Sequence, residues 1–220
     1  MIKEFTERIK SLIGENDNPD PPIDDKKIIL LDPSVLGAEG SSPDQMNSIG
    51  LFCDVTEEKT GEVIHGILYL NHLNKHAQSE EQVQPIEFYI STYGGSADDM
   101  FGLYDVMRNI KETSEIHTIG VGKVFSAGVL LLAAGTPGAR KIGRNCRIMI
   151  HSVIGGNQGD LHNMLNEMEA IEQLQQMFVD CLAAETKMTK KQIKKMLERK
   201  VNVYLSAEEA VELGIADIII

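Results

Sequence analysis

From residue 49 onward the apolar residues of this chain repeatedly change their spacing. They alternate with polar ones for a few residues, then recur every three or four, then alternate again. Ile49 to Val55 reads as a strand, and Val63, Ile64, Ile67, Leu68 and Leu70 mark a helix face. In residues 86–91, Ile86, Phe88 and Ile90 alternate with Glu87, Tyr89 and Ser91, a strand. Met100, Leu103, Tyr104, Met107 and Ile110 then mark a second helix. Residues 116–121 read as a strand, 127–134 as a very apolar helix and 146–151 as another strand. Strands that alternate with helices fold as βαβ turns, so the expectation is an α/β fold of repeated βαβ units. No exact internal repeat accompanies this pattern.

Beyond residue 151 the pattern lengthens. Leu161, Met164, Leu165, Met168, Ile171, Leu174, Met177, Phe178, Cys181 and Leu182 keep helical spacing, which predicts a helix from about Asp160 to Glu185. That exceeds the usual globular helix, so it is expected to project and pack against a neighbour; an ordinary core helix is the plain alternative. Residues 187–200 are lysine-rich and read as a solvated helix face. Ser206-Ala207-Glu208-Glu209 is a capping box that opens a short helix ending at Gly214.

The first 48 residues are different. Residues 1–13 predict a short amphipathic helix with Ile2, Phe5, Ile9 and Leu12 on one side. The acidic, proline-rich stretch 14–22 cannot continue it and reads as a linker. Residues 28–31 are a short strand candidate, and 32–48 are loop-rich. The division is therefore an N-terminal arm and linker over 1–48 and one main domain over 49–220.

A net charge of −12 argues against nucleic acid as the main partner, because phosphate binding needs clustered Lys and Arg. The three cysteines, Cys53, Cys146 and Cys181, are widely spaced and read as reduced buried thiols. Neither a metal nor a cofactor is expected. The charged N-terminus has no apolar core with a cleavage site, so no signal peptide is expected, and no apolar run reaches membrane-spanning length. A soluble cytoplasmic protein is the expectation.

Three segments carry chemistry. Ser126 lies in Gly122-Lys123-Val124-Phe125-Ser126-Ala127-Gly128, between a strand-like and a helix-like run. At such a turn the hydroxyl is lifted clear of the backbone, and the first helix amides, Ala127 foremost, face any negative charge nearby. A simple N-cap is the competing reading of Ser126. His151 closes a strand-like run 25 residues later, and histidine is the usual base for a serine because it titrates near neutrality. Gly94-Gly95 follows the strand at 86–91 and can present a backbone donor without a Cβ in the way, although a plain turn explains a lone Gly-Gly equally well. Nucleophile, base and paired amides are the kit for cleaving an acyl bond. The other histidines, His65, His72, His76, His117 and His162, lie on helices or polar surfaces by pattern.

Taken in order, these segments resemble one family. Tyr93-Gly94-Gly95-Ser96, Gly122 to Gly128, Arg147-Ile148-Met149-Ile150-His151, Gly155-Gly156-Asn157-Gln158-Gly159 and the run Tyr204 to Asp217 are together similar to the Clp protease proteolytic subunits (ClpP). The resemblance covers roughly residues 49–220. It implies a fold shared with the crotonases, built of βαβ repeats with a long handle helix, the handle region being about 154–186. It also implies a serine peptidase with Ser126 as nucleophile, His151 as base, and Gly95 and Ala127 as oxyanion-hole amides. Gly94, Ser96, Ile154 and Gly155 are implied as substrate-binding positions, the stretch from Ile154 to Gly159 matching a strand that pairs with extended substrate. Members of the family stack two heptameric rings around a closed chamber and work with a hexameric AAA+ ATPase unfoldase, so polypeptide substrates and a homo-oligomer are implied here.

Three positions and the N-terminal segment depart from the family pattern. The triad aspartate is replaced by Asn202, four residues before Ser206. An asparagine can orient an imidazole but brings no charge, and such a swap can cost about 10⁴ in kcat. Asp160 and Glu198 are the carboxylates that can take the role instead. Tyr93 stands where proline is usual, and Phe125 stands where a small residue is usual and is expected to crowd Ser126. The first 48 residues do not match the family's axial loops, which puts unfoldase docking in question. Two rival functions follow: a catalytically weak or inactive ring subunit, and a crotonase-type enzyme acting on an acyl-CoA thioester.

Overall fold

The computed structural model describes residues 46–220 except 157, 199 and 200. The helix expected over 1–13, the linker at 14–22, the strand at 28–31 and most of the loop-rich stretch lie outside the described residues.

Strand β2 (Ile86–Thr92) shows why this chain forms a sheet. Ile86, Phe88, Ile90 and Thr92 are buried, while Glu87, Tyr89 and Ser91 are partly exposed, as the alternation requires. β2 pairs in parallel with β1 (Ser48–Leu51) on one side and β3 (Ile116–Phe125) on the other. β3 then serves two neighbours. Its first half pairs with β4 (Lys141–Ile142), which pairs with β7 (Ile218–Ile219). Its second half pairs with β5 (Arg147–Ile150), aligning Val124 with Ile148 and Phe125 with Met149. Among the described residues only β6 (Val203–Leu205) runs antiparallel, against β5. The result is a mixed α/β fold with a largely parallel seven-stranded sheet.

Between strands the chain crosses over in helices: α1 (Glu57–Lys75), α2 (Ala97–Ile110) and α3 (Ala127–Ala133). In α2 the expected stripe is the buried one, Met100, Leu103, Tyr104, Met107 and Ile110. α3 is buried on every side, which suits an all-apolar sequence. α4 (Leu161–Glu185) follows, capped by Asp160, and then α5 (Lys190–Leu197), where Ile193 and Leu197 turn inward and the lysines face out. In α6 (Ala207–Glu212) the expected capping box is present, with Ser206 Oγ accepting from Glu209 N and Glu209 Oε2 accepting from Ser206 N. Gly214, at φ 77°, ends it.

Several boundaries differ from expectation for identifiable reasons. The strand expected over 49–55 stops at Leu51, and only Val55 returns to bridge Gly95. The helix expected over 63–70 gains polar turns at both ends; Thr56 caps it, and Glu57 and Glu58 suit its positive end. β3 continues past residue 121 to Phe125. The β2 register shifts there, from Ile90 opposite Gly120 to Thr92 opposite Val124, so extra residues bulge out of β3 and interrupt its alternation. Cys53 is exposed rather than buried, because it lies beyond the end of β1; Cys146 is buried and Cys181 half-buried. Burial pushes the Cys146 thiol up to about 11. Among the described residues no helix is long and apolar enough to cross a membrane.

Candidate active site

β2, β3 and β5 run parallel, so their C-terminal ends open on the same side of the sheet, where α/β folds build their sites. Tyr93 to Ser96 leaves the first end, Ser126 the second and His151 the third.

Ser126 has φ 54° and ψ −120° and is the one non-glycine residue with positive φ among the described residues. Such a backbone costs about 1–3 kcal/mol and persists only where its surroundings hold it. Its N–H donates to Met149 O at 2.8 Å, which ties the turn to β5. Although Ser126 stands at the N-cap position of α3, its hydroxyl makes no capping bond. The N-cap reading therefore does not account for this side chain.

Gly94 and Gly95 both lie in the left-handed half of backbone space, at φ 98° and 150°. A Cβ on Gly94 would come 2.6 Å from Ser126 Cβ, and one on Gly95 would come 2.1 Å from Val55 O. The plain-turn reading understates these contacts, since neither position has room for a side chain. Val55 N donates to Gly94 O at 2.8 Å, and Ser96 N donates to Val55 O at 2.9 Å. In a parallel bridge those bonds flank the partner residue, so the Gly95 N–H points to the other side, away from Val55.

A cleft of about 330 Å³ opens here. Gly95, Ser96, Ser126, Ala127, His151 and Ile154 all line it. Its remaining wall is mostly apolar: Ala97, Met100 and Phe101 from α2, Val153 from the segment after His151, Leu174 and Phe178 from α4, with Tyr93 at the β2 end. Leu174 and Phe178 lie four residues apart on the long helix; that spacing was readable as a buried face but not as a cleft wall. Gly94 packs beneath Ser126, and Gly155 packs against Ile171, where a Cβ would meet Ile171 Cδ1 at 2.4 Å. Residues 151–156 form no strand, and Ile154 is 82% exposed.

The base and its expected orienter are less closely joined. Among the described residues no hydrogen bond joins Ser126 Oγ to His151, and the imidazole has no polar partner. Asn202 does not line the cleft; its Nδ2 donates to Tyr204 Oη at 3.5 Å. The β5–β6 register nonetheless brings it near. Ile148, Met149 and Ile150 face Leu205, Tyr204 and Val203, so the same register continued by one residue sets Asn202 opposite His151. Asp160 spends its carboxylate on capping α4, accepting from His162 N and Asn163 N at 3.1 Å. Glu198 lines a separate groove with residues of α4 and α5.

Phe125 does not line the cleft. Its ring stacks edge-on against Tyr93 and Tyr204, each with centroids 5.8 Å away. Lys123 Nζ lies 4.4 Å from the Tyr93 ring centroid, and Arg147 Cζ lies 4.6 Å from that of Tyr204. Sequence reasoning also missed a buried ionic frame behind the site. Arg140 forks onto Asp217, with Nε to Oδ2 at 2.8 Å and Nη2 to Oδ1 at 2.6 Å. The frame reaches the end of α4, where Glu185 accepts from Tyr104 Oη at 2.9 Å and Arg108 Nη1 at 2.7 Å.

With this geometry in hand, two comparisons bear on the chain. The family model described as Clp protease matches residues 44–220. The chain is 34% identical over 166 residues to "ATP-dependent Clp protease proteolytic subunit 1" of Prochlorococcus marinus (strain MIT 9312), covering 76% of this chain and 80% of that protein. It is 33% identical over 166 residues to the protein of the same name from Prochlorococcus marinus subsp. pastoris, covering 76% and 79%.

Proposed function

The chain belongs to the Clp protease family, and on that premise we propose that it is a serine endopeptidase that cleaves unfolded polypeptide inside a ring-shaped chamber. The observation that carries this reading is Ser126: a strained backbone, an uncapped hydroxyl and a cleft shared with His151. Ser126 Oγ attacks the scissile carbonyl carbon while His151 takes its proton. The negative charge on the carbonyl oxygen is held by the Gly95 and Ala127 amides, each worth about 3 kcal/mol in the transition state. His151 then gives its proton to the leaving amine, and water releases the acyl group by the same route in reverse. Asn202 orients His151. Substrate enters along Ser96, Ile154 and the neighbouring glycines, and the apolar wall favours an apolar side chain at the cut bond.

The proposed assembly is two stacked heptameric rings working in the cytoplasm with a hexameric ATP-driven unfoldase; the relatives' printed name, "ATP-dependent", supports the last part. The test is labelling with a fluorophosphonate together with hydrolysis of short fluorogenic peptides, in the native chain and in Ser126→Ala. Both signals are expected to disappear in the variant. Hydrolysis that survives unchanged would remove Ser126 from the reaction.

A second reading is a weakly active or inactive ring subunit. Asn202 favours it, because no carboxylate lines the cleft among the described residues. An unlabelled Ser126 in the assembled particle supports that reading instead.

A further inference from the structure

The two strands that lead into Ser126 and His151 also carry two cations side by side. Lys123 on β3 and Arg147 on β5 are register partners, so they stand directly opposite each other on neighbouring parallel strands, about 4.7–4.9 Å apart along the backbone. Like charges so placed repel. Among the described residues no carboxylate pairs with either, although the chain holds 33 acidic residues against 21 basic ones. Aromatic rings hold them instead: Lys123 Nζ lies 4.4 Å from the Tyr93 centroid, and Arg147 Cζ lies 4.6 Å from that of Tyr204. A ring face attracts a cation but does not neutralise it. Phe125 joins the two tyrosines edge-on, so the row runs Lys123, Tyr93, Phe125, Tyr204, Arg147. It reaches the cleft, because Tyr93 also lines that.

Resting on the peptidase reading, we propose that this row is a substrate-binding surface for carboxylate side chains of the polypeptide being cut, with Lys123 and Arg147 as the specificity-determining residues. An incoming carboxylate relieves the repulsion between the two cations and gains charge-assisted hydrogen bonds from them. The rings offer flat apolar contact beside it, Tyr93 being 64% and Tyr204 47% exposed. The cleft itself is lined by no Lys, Arg, Asp or Glu among the described residues, so the two surfaces read different parts of one substrate. An apolar residue sits at the cut bond, and acidic residues lie a few positions away. The favoured substrates are acidic polypeptides, drawn by a local charge opposite in sign to the chain's own −12.

The test compares three fluorogenic peptides of equal length with amidated C-termini, so that only side chains differ in charge. Each has one apolar residue at the cut bond and Glu, Gln or Lys at the flanking positions on both sides. With the native chain at low salt, kcat/KM is expected to be about fivefold higher for the Glu peptide than for the Gln peptide, and lowest for the Lys peptide, the effect of one or two surface ion pairs. At about 1 M salt the Glu-to-Gln ratio is expected to approach one, since charges are then screened beyond about 3 Å. Taken within one protein, so that a poorly folded fraction cancels, the ratio is expected to fall to about one in Lys123→Gln/Arg147→Gln and to invert in Lys123→Glu/Arg147→Glu. A ratio near one in the native chain, or one that both variants keep, would overturn the proposal. So would a loss of sedimenting mass in Lys123→Glu/Arg147→Glu with the ratio kept, because a second copy would then be what covers the row. Binding of the same peptides to Ser126→Ala, followed by fluorescence anisotropy, gives the ranking without turnover. If the native chain neither hydrolyses peptide nor takes the fluorophosphonate, the peptidase reading falls and the binding ranking alone decides. Glu above Gln above Lys then upholds the surface, and equal binding or none sinks it.

Discussion

A serine at φ 54° is held against its own preference, and such strain persists only where the surrounding structure imposes it. Glycine adopts that conformation without strain. Ser126→Gly is therefore expected to stabilise the fold by about 1 kcal/mol, after allowing for the freer unfolded chain. That corresponds to a Tm about 2–4 °C higher in a chain of this size. Fluorophosphonate labelling is expected to vanish in the same variant. Thermal unfolding checks the first half, and an unchanged or lower Tm would show that the turn stores no strain. Asn202 offers the converse trade. A neutral amide cannot stabilise the imidazolium that forms when His151 takes the proton, so Asn202→Asp is expected to raise kcat, by as much as about 10⁴-fold if charge is all that is missing. Peptide hydrolysis at saturating substrate checks it. A rate left unchanged points away from residue 202 as the orienter.

Between elements, the contacts that matter are ones no local pattern announces. Ile86, Phe88 and Ile90 declare a strand because each decides its own burial, and the α2 stripe declares a helix for the same reason. β4 and β7 are two residues each and exist through their partners, so nothing in their own spacing marks them. Ser126 and His151 were legible because each sits in a short distinctive segment. The apolar wall from Leu174 and Phe178 was not, since helical spacing looks alike whether it faces a core or a cleft. The same holds for Arg140 and Asp217, 77 residues apart in sequence, which lock the turn after α3 to the strand at the C-terminus. Burial pushes the Asp217 carboxyl up, but its bonds from Arg140 and Gly138 outweigh this and hold it below its usual value. A depressed carboxyl contributes stability that is present above the unfolded value near 4 and lost as pH falls through the folded one. Asp217→Asn strands a guanidinium that is 6% exposed. The expected cost is about 3–5 kcal/mol, or a Tm about 10 °C lower near neutrality. Unfolding curves recorded from pH 7 to pH 3 check both points. The gap between native and variant chains is expected to narrow below about pH 4, and a gap that stays constant would mean the pair does not carry the acid sensitivity.

At the scale of the whole molecule, α4 carries two kinds of surface on one rod. Its last turns are anchored by Phe178, Val179 and Leu182, and Leu174 and Phe178 wall the cleft. Its first ten residues are all exposed, yet they carry Leu161, Met164, Leu165 and Met168 at helical spacing, with Leu161 67% and Met168 60% exposed. An apolar stripe of that kind gains about 1.5–3 kcal/mol per large side chain when another surface covers it. A second copy is the natural cover in the proposed stack of rings. Because the subunit carries a net charge of −12, copies approach against repulsion that salt screens. Adding a carboxylate inside the stripe should therefore act on assembly first and on the cleft second. Met168→Glu is expected to halve the sedimenting mass by splitting stacked rings into single ones, and to do so more completely at low salt. Peptide hydrolysis is expected to fall with it, although residue 168 touches neither Ser126 nor His151, since α4 would lose the contact that steadies Leu174 and Phe178. Sedimentation velocity and turnover measured on the same samples separate the possibilities. A particle of unchanged mass would show that copies meet elsewhere. A halved particle with full activity would show that the cleft is set within one subunit and owes nothing to the far end of the helix.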